Sequence, residues 1–246
     1  MRFTLSETIS VIANRFRLFL NGDKTGVSIW WISNYMKIHN GVDGISFGSY
    51  RSSSKRIDSR RSIIKDIDKS LQNDIAPEIW NAGNNLKFFL YDYISSNNLE
   101  TILETGVANG ATTRIIQSAI NSKSTNFHSI DINKECFAVN AESDQWTFHH
   151  LKGSNLKQSM NAIVDKLPKI DLWVHDSDHH YVWQKFEYQL AWKKLKPGGI
   201  LISDDIDFSK AWCELSEIND LNYICAVFDG RKMFGIAQKN HNENEL

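Results

Sequence analysis

The sequence has little cysteine, no long apolar run and almost no net charge, and each shortage removes a class of protein. Its three cysteines in 246 residues, Cys136, Cys213 and Cys225, form no CxxC pair and cannot all be joined within one chain. That excludes a disulfide scaffold and leaves neutral, buried thiols in a reducing compartment as the expectation. The N-terminal stretch from Met1 to Asn21 is amphipathic, interrupted by Glu7, Asn14, Arg15 and Arg17. It suits neither a signal peptide nor a membrane span, so a cytoplasmic protein without a membrane partner is expected. Lysine plus arginine (28) nearly balances aspartate plus glutamate (29), for a formal charge of -1. A chain-wide basic footprint for nucleic acid is missing. No internal repeat is visible.

What is present reads as two unequal parts. The first hundred residues show no strong strand pattern and predict a helical N-terminal cap over 1–85. Ser6 to Leu20 places Ile9, Ile12, Phe16, Phe19 and Leu20 on one helical face before Asn21-Gly22, and Val27 to Ile38 is a second apolar stretch. Between Phe47 and Ser62 the composition turns to serine with Arg51, Lys55, Arg56, Arg60 and Arg61. Such a run predicts a solvated mobile segment, or a lid that closes over an anionic acceptor group. A helical pattern resumes at Ile63 to Leu71, and Pro77 opens the next helix or turn.

From residue 86 to 240 strands and helices alternate. Leu86–Ser95 predicts a helix, and strands are expected at Thr101–Glu104, Phe127–Ile132, Thr147–Leu151, Ile170–His175 and Ile200–Ser203. Ile170–His175 is nearly continuous in apolar residues, as in a parallel strand buried on both faces. Tyr181–Leu195 is a helix ended by Lys196-Pro197-Gly198-Gly199. Asp229-Gly230 between Tyr223–Phe228 and Met233–Gln238 signals a hairpin. The fold class is therefore α/β: a doubly wound, mostly parallel seven-stranded sheet closed by a C-terminal antiparallel hairpin. Residues 241–246 form a polar tail.

Three clusters carry chemistry. Glu104-Thr-Gly106-Val-Ala-Asn-Gly110 is a glycine loop between a strand and a helix, where glycines permit a sharp turn and close approach of a ligand to the backbone. Its GxxxG spacing lacks the middle glycine that a dinucleotide's pyrophosphate needs, which favours a zwitterionic amino-acid ligand. Asp131 ends the second strand, 25 residues after Gly106, where an acid accepts hydrogen bonds from the ribose of an adenosine ligand. A helix-start acid is the alternative for Asp131. In the third cluster five of the six positions from 175 to 180 are acids or imidazoles, and Asp204-Asp205 follows the next strand. Carboxylates converging at strand ends repel one another unless a cation or protons offset them. Oxygen-only ligands suit a hard divalent ion such as Mg²⁺.

With those residues in view, the chain resembles the class I S-adenosylmethionine-dependent methyltransferases over residues 101–238. Asp176-Ser-Asp-His-His-Tyr181, Leu195-Lys-Pro-Gly-Gly199 and Asp204-Asp205 resemble the D-G-D-H-S-Y, L-K-P-G-G and H-D motifs of the macrocin O-methyltransferase-like subfamily. Ser177 stands where the subfamily has glycine, and Asp204 where it often has histidine. The resemblance implies an O-methyltransferase with S-adenosyl-L-methionine as cofactor. It also implies Mg²⁺ on Asp176, Asp204 and Asp205, and methylation of a hydroxyl of a sugar, a nucleotide-linked sugar or another small metabolite. His179, or Asp176 itself, would take the hydroxyl proton. Glu104, Gly106 and Gly110 would hold the amino-acid end of the cofactor, Asp131 its ribose, and Ser154 and Asn155 would lie near its adenine. Two alternatives stay open: a hydroxylase-like or other metal-dependent enzyme on the same fold, and a cofactor-binding protein without turnover. No Asn/Asp-Pro-Pro-aromatic signature of nucleic-acid amino-methylation occurs, and a homo-oligomer is compatible with the sequence.

Overall fold

The structure, a computed structural model, describes residues 29–71, 81–137, 143–230 and 232–241. The helix expected over Ser6–Leu20, the start at Pro77 and most of the polar tail lie outside the described residues. In chain order the elements are α1 (Ile29–Ile32), β1 (Lys37–His39), β2 (Ser46–Phe47), β3 (Tyr50–Arg51), α2 (Ser54–Ser70) and α3 (Asn84–Ser96). These are followed by β4 (Thr101–Thr105), α4 (Ala111–Ala119), β5 (Asn126–Asp131), β6 (Trp146–His150), α5 (Leu156–Lys166) and β7 (Ile170–His175). The chain closes with α6 (Tyr181–Lys194), β8 (Leu195–Ser203), α7 (Ala211–Leu215), β9 (Leu221–Asp229) and β10 (Lys232–Lys239).

The main sheet runs β1-β9-β10-β8-β7-β4-β5-β6. Only β10 is antiparallel to its neighbours, β8 and β9, and the other described pairs are parallel. Seven strands were expected and eight are present. The addition is β1, whose Lys37–His39 pairs with Cys225–Val227 at the sheet edge. A three-residue strand is too short to show a period of two in sequence, and the expectation of a strand-free N-terminal region is corrected on this point.

Strand periodicity sorts the core into two layers. Ile102, Leu172, Val174, Ile200 and Ile202 face α3, packing with Leu86, Phe89 and Leu90. Their alternates Leu103, Trp173 and Leu201 face the opposite side with Met160, Val164, Ala191 and Trp212. All three cysteines are buried and none forms a disulfide among the described residues, and burial pushes each thiol up to about 12.

The basic, serine-rich run is corrected more substantially. It is neither a solvated linker nor an open lid; most of it forms α2, which packs on α3. Arg56 donates from Nε to Asp92 Oδ1 (2.8 Å) and from Nη2 to Asp92 Oδ2 (2.9 Å), and Tyr50 Oη adds a third bond at 2.8 Å. Arg60 lies over the Tyr91 ring and Arg61 over Phe88, at 4.8 and 4.9 Å from the ring centroids. Lys87 of α3 reaches back to both oxygens of Asp68 at 2.8 Å. The sequence shows the charges but not the acid and rings 30 residues onward that absorb them.

Asp92 is fully buried, so removing its cation strands a carboxylate that has lost its water. Arg56→Ala is expected to lower stability by about 1–3 kcal/mol. Lys55→Ala, at an exposed neighbouring position, should stay within about 0.5 kcal/mol of wild type. Urea unfolding midpoints measure both, and equal midpoints would reinstate the solvated-linker reading.

Candidate active site

The parallel ladder continues one residue beyond each strand, and this continuation builds the site. Leu151 N donates to Asp131 O (2.8 Å), Gly106 N to Ile130 O (2.9 Å), Asp176 N to Thr105 O (2.8 Å) and Asp204 N to His175 O (2.9 Å). Asp131, Gly106, Asp176 and Asp204 therefore stand in a row along the carboxyl edge of β5, β4, β7 and β8. Chain order runs outward in opposite directions from β4 and β7, so the crevice between their loops is the topological switch point where open α/β sheets bind ligands. The two loops touch there. A Cβ on Gly106 would come within 2.0 Å of Asp176 O, and Gly106 has φ 86, so no other residue fits.

On one side of the crevice lie the residues expected to hold a cofactor. Asp131 Oδ2 accepts from Val107 N (2.7 Å) and Ala108 N (3.3 Å), and Oδ1 from Asn133 N (2.7 Å). Its carboxylate thus fixes the glycine loop as well as standing half-buried at the strand tip, where a ligand hydroxyl can reach it. Gly110, with φ 79, turns the chain into α4. Ala108 holds φ 46 without being glycine, a cost that such sites carry when the surrounding bonds demand it. Glu104 departs from expectation. It is fully buried beneath the loop, and its Oε2 accepts from Thr113 Oγ1 and Ser129 Oγ, both at 2.7 Å. It supports the loop from below and presents no surface to a ligand. Ser154 is exposed, and Asn155 spends its side-chain oxygen capping α5 through Gln158 N (3.1 Å). Both stand at the β6 end of the row.

On the other side, Asp176, His179, Asp204 and Asp205 do come together. His179 Nε2 lies 3.5 Å from Asp205 Oδ2 and 3.9 Å from Asp176 Oδ1. Asp205 holds φ 47, which turns its carboxylate back toward the imidazole. Burial holds His179 below its ordinary value, against the pull of Asp205. Burial, with the charge of Asp204 added, raises Asp176 well above the carboxylate range.

The sequence reading missed a fifth member. Lys232, at the first position of β10, bonds through Nζ to Asp204 Oδ2 and lies 3.7 Å from Asp205 Oδ2. Burial works against its charge, but Asp204, Asp205 and Asp176 together hold it strongly protonated. Burial alone would also raise Asp204, yet Lys232 and His179 keep it below its ordinary value. The residues present do not fit the expected magnesium ion. A divalent cation needs several oxygens about one centre, and here an ammonium takes Asp204 Oδ2. Among the described residues no group of three His, Cys, Asp or Glu side chains is placed to hold a metal. The expected ligand set Asp176, Asp204 and Asp205 thus shares its place with an ammonium.

A second missed residue is Glu187 of α6. Fully buried, it accepts from Thr105 Oγ1 (2.5 Å) and Ser177 Oγ (2.6 Å), and pairs with His175 Nδ1 (2.7 Å). His175 in turn meets the His179 ring edge-on, with centroids 5.7 Å apart. Ser177, where the motif has glycine, thereby gains a partner. Nothing but its place between Phe186 and Tyr188 on a half-buried helix could have drawn attention to Glu187.

Residues 103–206, which carry the whole row, match the family model described as a methyltransferase domain. This stretch is a methyltransferase domain. Solved structures similar in fold include the S-adenosylhomocysteine-bound methyltransferase PaMTH1 of Podospora anserina, at 10% identity and TM-score 0.58, covering 79% of this chain and 100% of that one. The O-methyltransferase of Bacillus cereus, in complex with S-adenosylhomocysteine, gives 13% and 0.51, covering 77% and 92%. TomG of Streptomyces achromogenes, an O-methyltransferase of tomaymycin synthesis in complex with S-adenosylmethionine, gives 11% and 0.52, covering 77% and 91%. At such identities the likeness is one of fold. No curated protein matches significantly in sequence. Among the described residues no helix is long and apolar enough to cross a membrane.

Burial in the methyltransferase domain pushes Glu104 up to about 8, with bonds from Ser129 and Thr113 opposing and the Asp131 charge adding. Its ordinary value is 4.5, so between the two values the folded state carries an extra proton. Its contribution to stability is full below the lower value and is lost as pH rises through the upper one. Glu104→Gln has no proton to lose, and its stability should fall less than that of wild type between pH 5 and pH 8. Parallel denaturation curves across this range would count against a neutral buried acid.

Proposed function

We propose that the protein transfers the methyl group of S-adenosylmethionine to a hydroxyl oxygen of a small metabolite, with sugar hydroxyls as the first acceptor class. The observation that carries this reading is the single row of glycine loop, Asp131, Asp176–His179 and Asp204–Asp205 along one sheet edge. Its setting supports the reading: a methyltransferase domain whose fold is shared by O-methyltransferases solved with that cofactor or its product. When bound, the cofactor supplies a sulfonium methyl whose C–S electron pair returns to sulfur as the O–C bond forms.

The chain's own residues do the rest. Asp131 accepts from the ribose hydroxyls, and the Gly106–Gly110 backbone, tied to Asp131, lets the amino-acid end approach. His179, neutral because it is desolvated, takes the acceptor's hydroxyl proton at Nε2, and Asp205 at 3.5 Å stabilises the imidazolium that results. Glu187 fixes the loop from which His179 projects, by way of His175 and Ser177.

Calorimetry should show binding of S-adenosylmethionine and S-adenosylhomocysteine and none of NAD. Asp131→Ala should weaken that binding by about 1–3 kcal/mol, the cost of polar partners left unpaired. Undiminished binding by that variant, or NAD binding in its place, would sink the reading.

Once an acceptor is in hand, mass spectrometry should find a methyl group added, where a hydroxylase would add oxygen. His179→Gln should then lower kcat by roughly 10²–10⁴-fold with cofactor affinity unchanged. A variant with full kcat would remove His179 from the proton's path.

A further inference from the structure

Lys232 is out of place for a lysine. It is 5% exposed, whereas lysines are almost never fully buried without a partner. The residue that follows it is anchored through both of its backbone groups: Ile206 N donates to Met233 O (3.0 Å), and Met233 N to Asp207 Oδ1 (3.1 Å). The side chain therefore starts from a rigid strand end and reaches one carboxylate oxygen of each member of the Asp204–Asp205 pair. Asp204 is fully buried, and its other oxygen, Oδ1, has no hydrogen-bond partner among the described residues. Removing the ammonium would leave these carboxylates with only the His179 imidazole beside them, 3.5 Å from Asp205 Oδ2.

We infer that Lys232 is the resident counter-cation of this site, holding Asp204 and Asp205 in place of a divalent ion, so that the native site takes up no metal. A dication entering the cluster would have to share Asp204 with an ammonium of the same sign, and that repulsion excludes it. Lys232 acts as a positioning residue. It holds the Asp205 carboxylate where His179 Nε2 finds it, and any effect on the reaction passes through that pair. The inference deepens the methyl-transfer reading in that respect, but it rests on geometry that does not depend on the reading.

Manganese is the probe, because binding erases the six-line spectrum of the free ion. Wild-type protein should leave that spectrum unchanged at millimolar manganese. Lys232→Met should gain one manganese per chain, a gain that a merely structural lysine would not produce, and Asp204→Asn added to it should abolish the gain. Lys232→Arg keeps the charge and should stay silent. Wild-type protein that binds one manganese, with loss of binding in Asp204→Asn, overturns the proposal. A folded Lys232→Met that stays silent overturns it too. If Lys232→Met does not fold, silence of wild type and of Lys232→Arg supports it, and binding by either defeats it. Calorimetry with S-adenosylmethionine in EDTA, on the same wild-type sample, separates the two readings. Cofactor binding absent both in EDTA and with added manganese defeats the methyl-transfer reading and leaves the counter-cation standing, whereas binding that is absent in EDTA and appears with added manganese defeats the counter-cation.

Discussion

Carboxylates crowded at one corner of a sheet must be neutralised, and in this protein the neutralising charge comes from the last strand. Parallel strands all end at the same edge, so the acids that follow β7 and β8 are brought together by topology whether or not their charges agree. An antiparallel strand beside β8 begins where β8 ends. Gly235 pairs with Ser203, which sets Lys232, three residues earlier, just beyond the end of β8 and level with Ile206, next to the Asp204–Asp205 pair. The one reversal of direction in the sheet thus delivers a cation to the edge that needs it. Coulombic attraction in a site this buried is little screened, and it fixes both the ammonium and the acid pair.

The rest of the site is held from behind. Glu187 gathers Thr105, His175 and Ser177, members of two adjacent strands and the loop between β7 and α6, into one buried network. Burial alone would raise its carboxyl, but His175 and the two hydroxyls keep it below its ordinary value. Across the crevice Asp131 does similar work for the glycine loop through backbone amides. Backbone strain is confined to the points where these supports meet a ligand-facing turn: Ala108 and Asp205 are the described non-glycine residues with positive φ. One turns the cofactor loop, and the other aims a carboxylate at His179.

Much of this was legible in the sequence because it is written locally. A nearly continuous apolar run identified β7, and Ile170–His175 was bounded as the structure bounds it. Glycine spacing and acids after strand ends located the row, because strand order alone brings such positions together. What escaped depends on distance. Lys232 follows a hairpin turn, where a lysine ordinarily points to solvent, and only the pairing of β10 with β8 reveals its neighbours. The role of Arg56 required Asp92, 36 residues away. Glu104 looked like a ligand contact because it adjoins the loop, but strand alternation turns its side chain inward under Thr113 and Ser129. The metal expectation rested on acids that were counted correctly, and the ammonium that the structure sets beside them lay outside any motif.

The N-terminal region and the counter-cation are joined through one helix end. The first backbone amides of a helix lack internal partners and favour an anion, and at α3 the anion is Asp229 of the hairpin. Asp229 accepts from Asn85 N at 2.9 Å and Leu86 N at 3.0 Å, and Asn85 Nδ2 donates to Phe228 O at 3.0 Å. Gly83 has no side chain because Asp229 Oδ2 would lie 2.1 Å from its Cβ. The same helix carries Asp92, to which Arg56 and Tyr50 of the N-terminal segment are bound, and Lys87, which reaches Asp68. Ion pairs from α2 to α3, followed by backbone hydrogen bonds from α3 to Asp229, thus lead to the residue three places before Lys232. A part of the chain that shows no methyltransferase motif is in this way packed against the hairpin that supplies the site's positive charge, and the basic run that looked like an independent lid is a support for that hairpin.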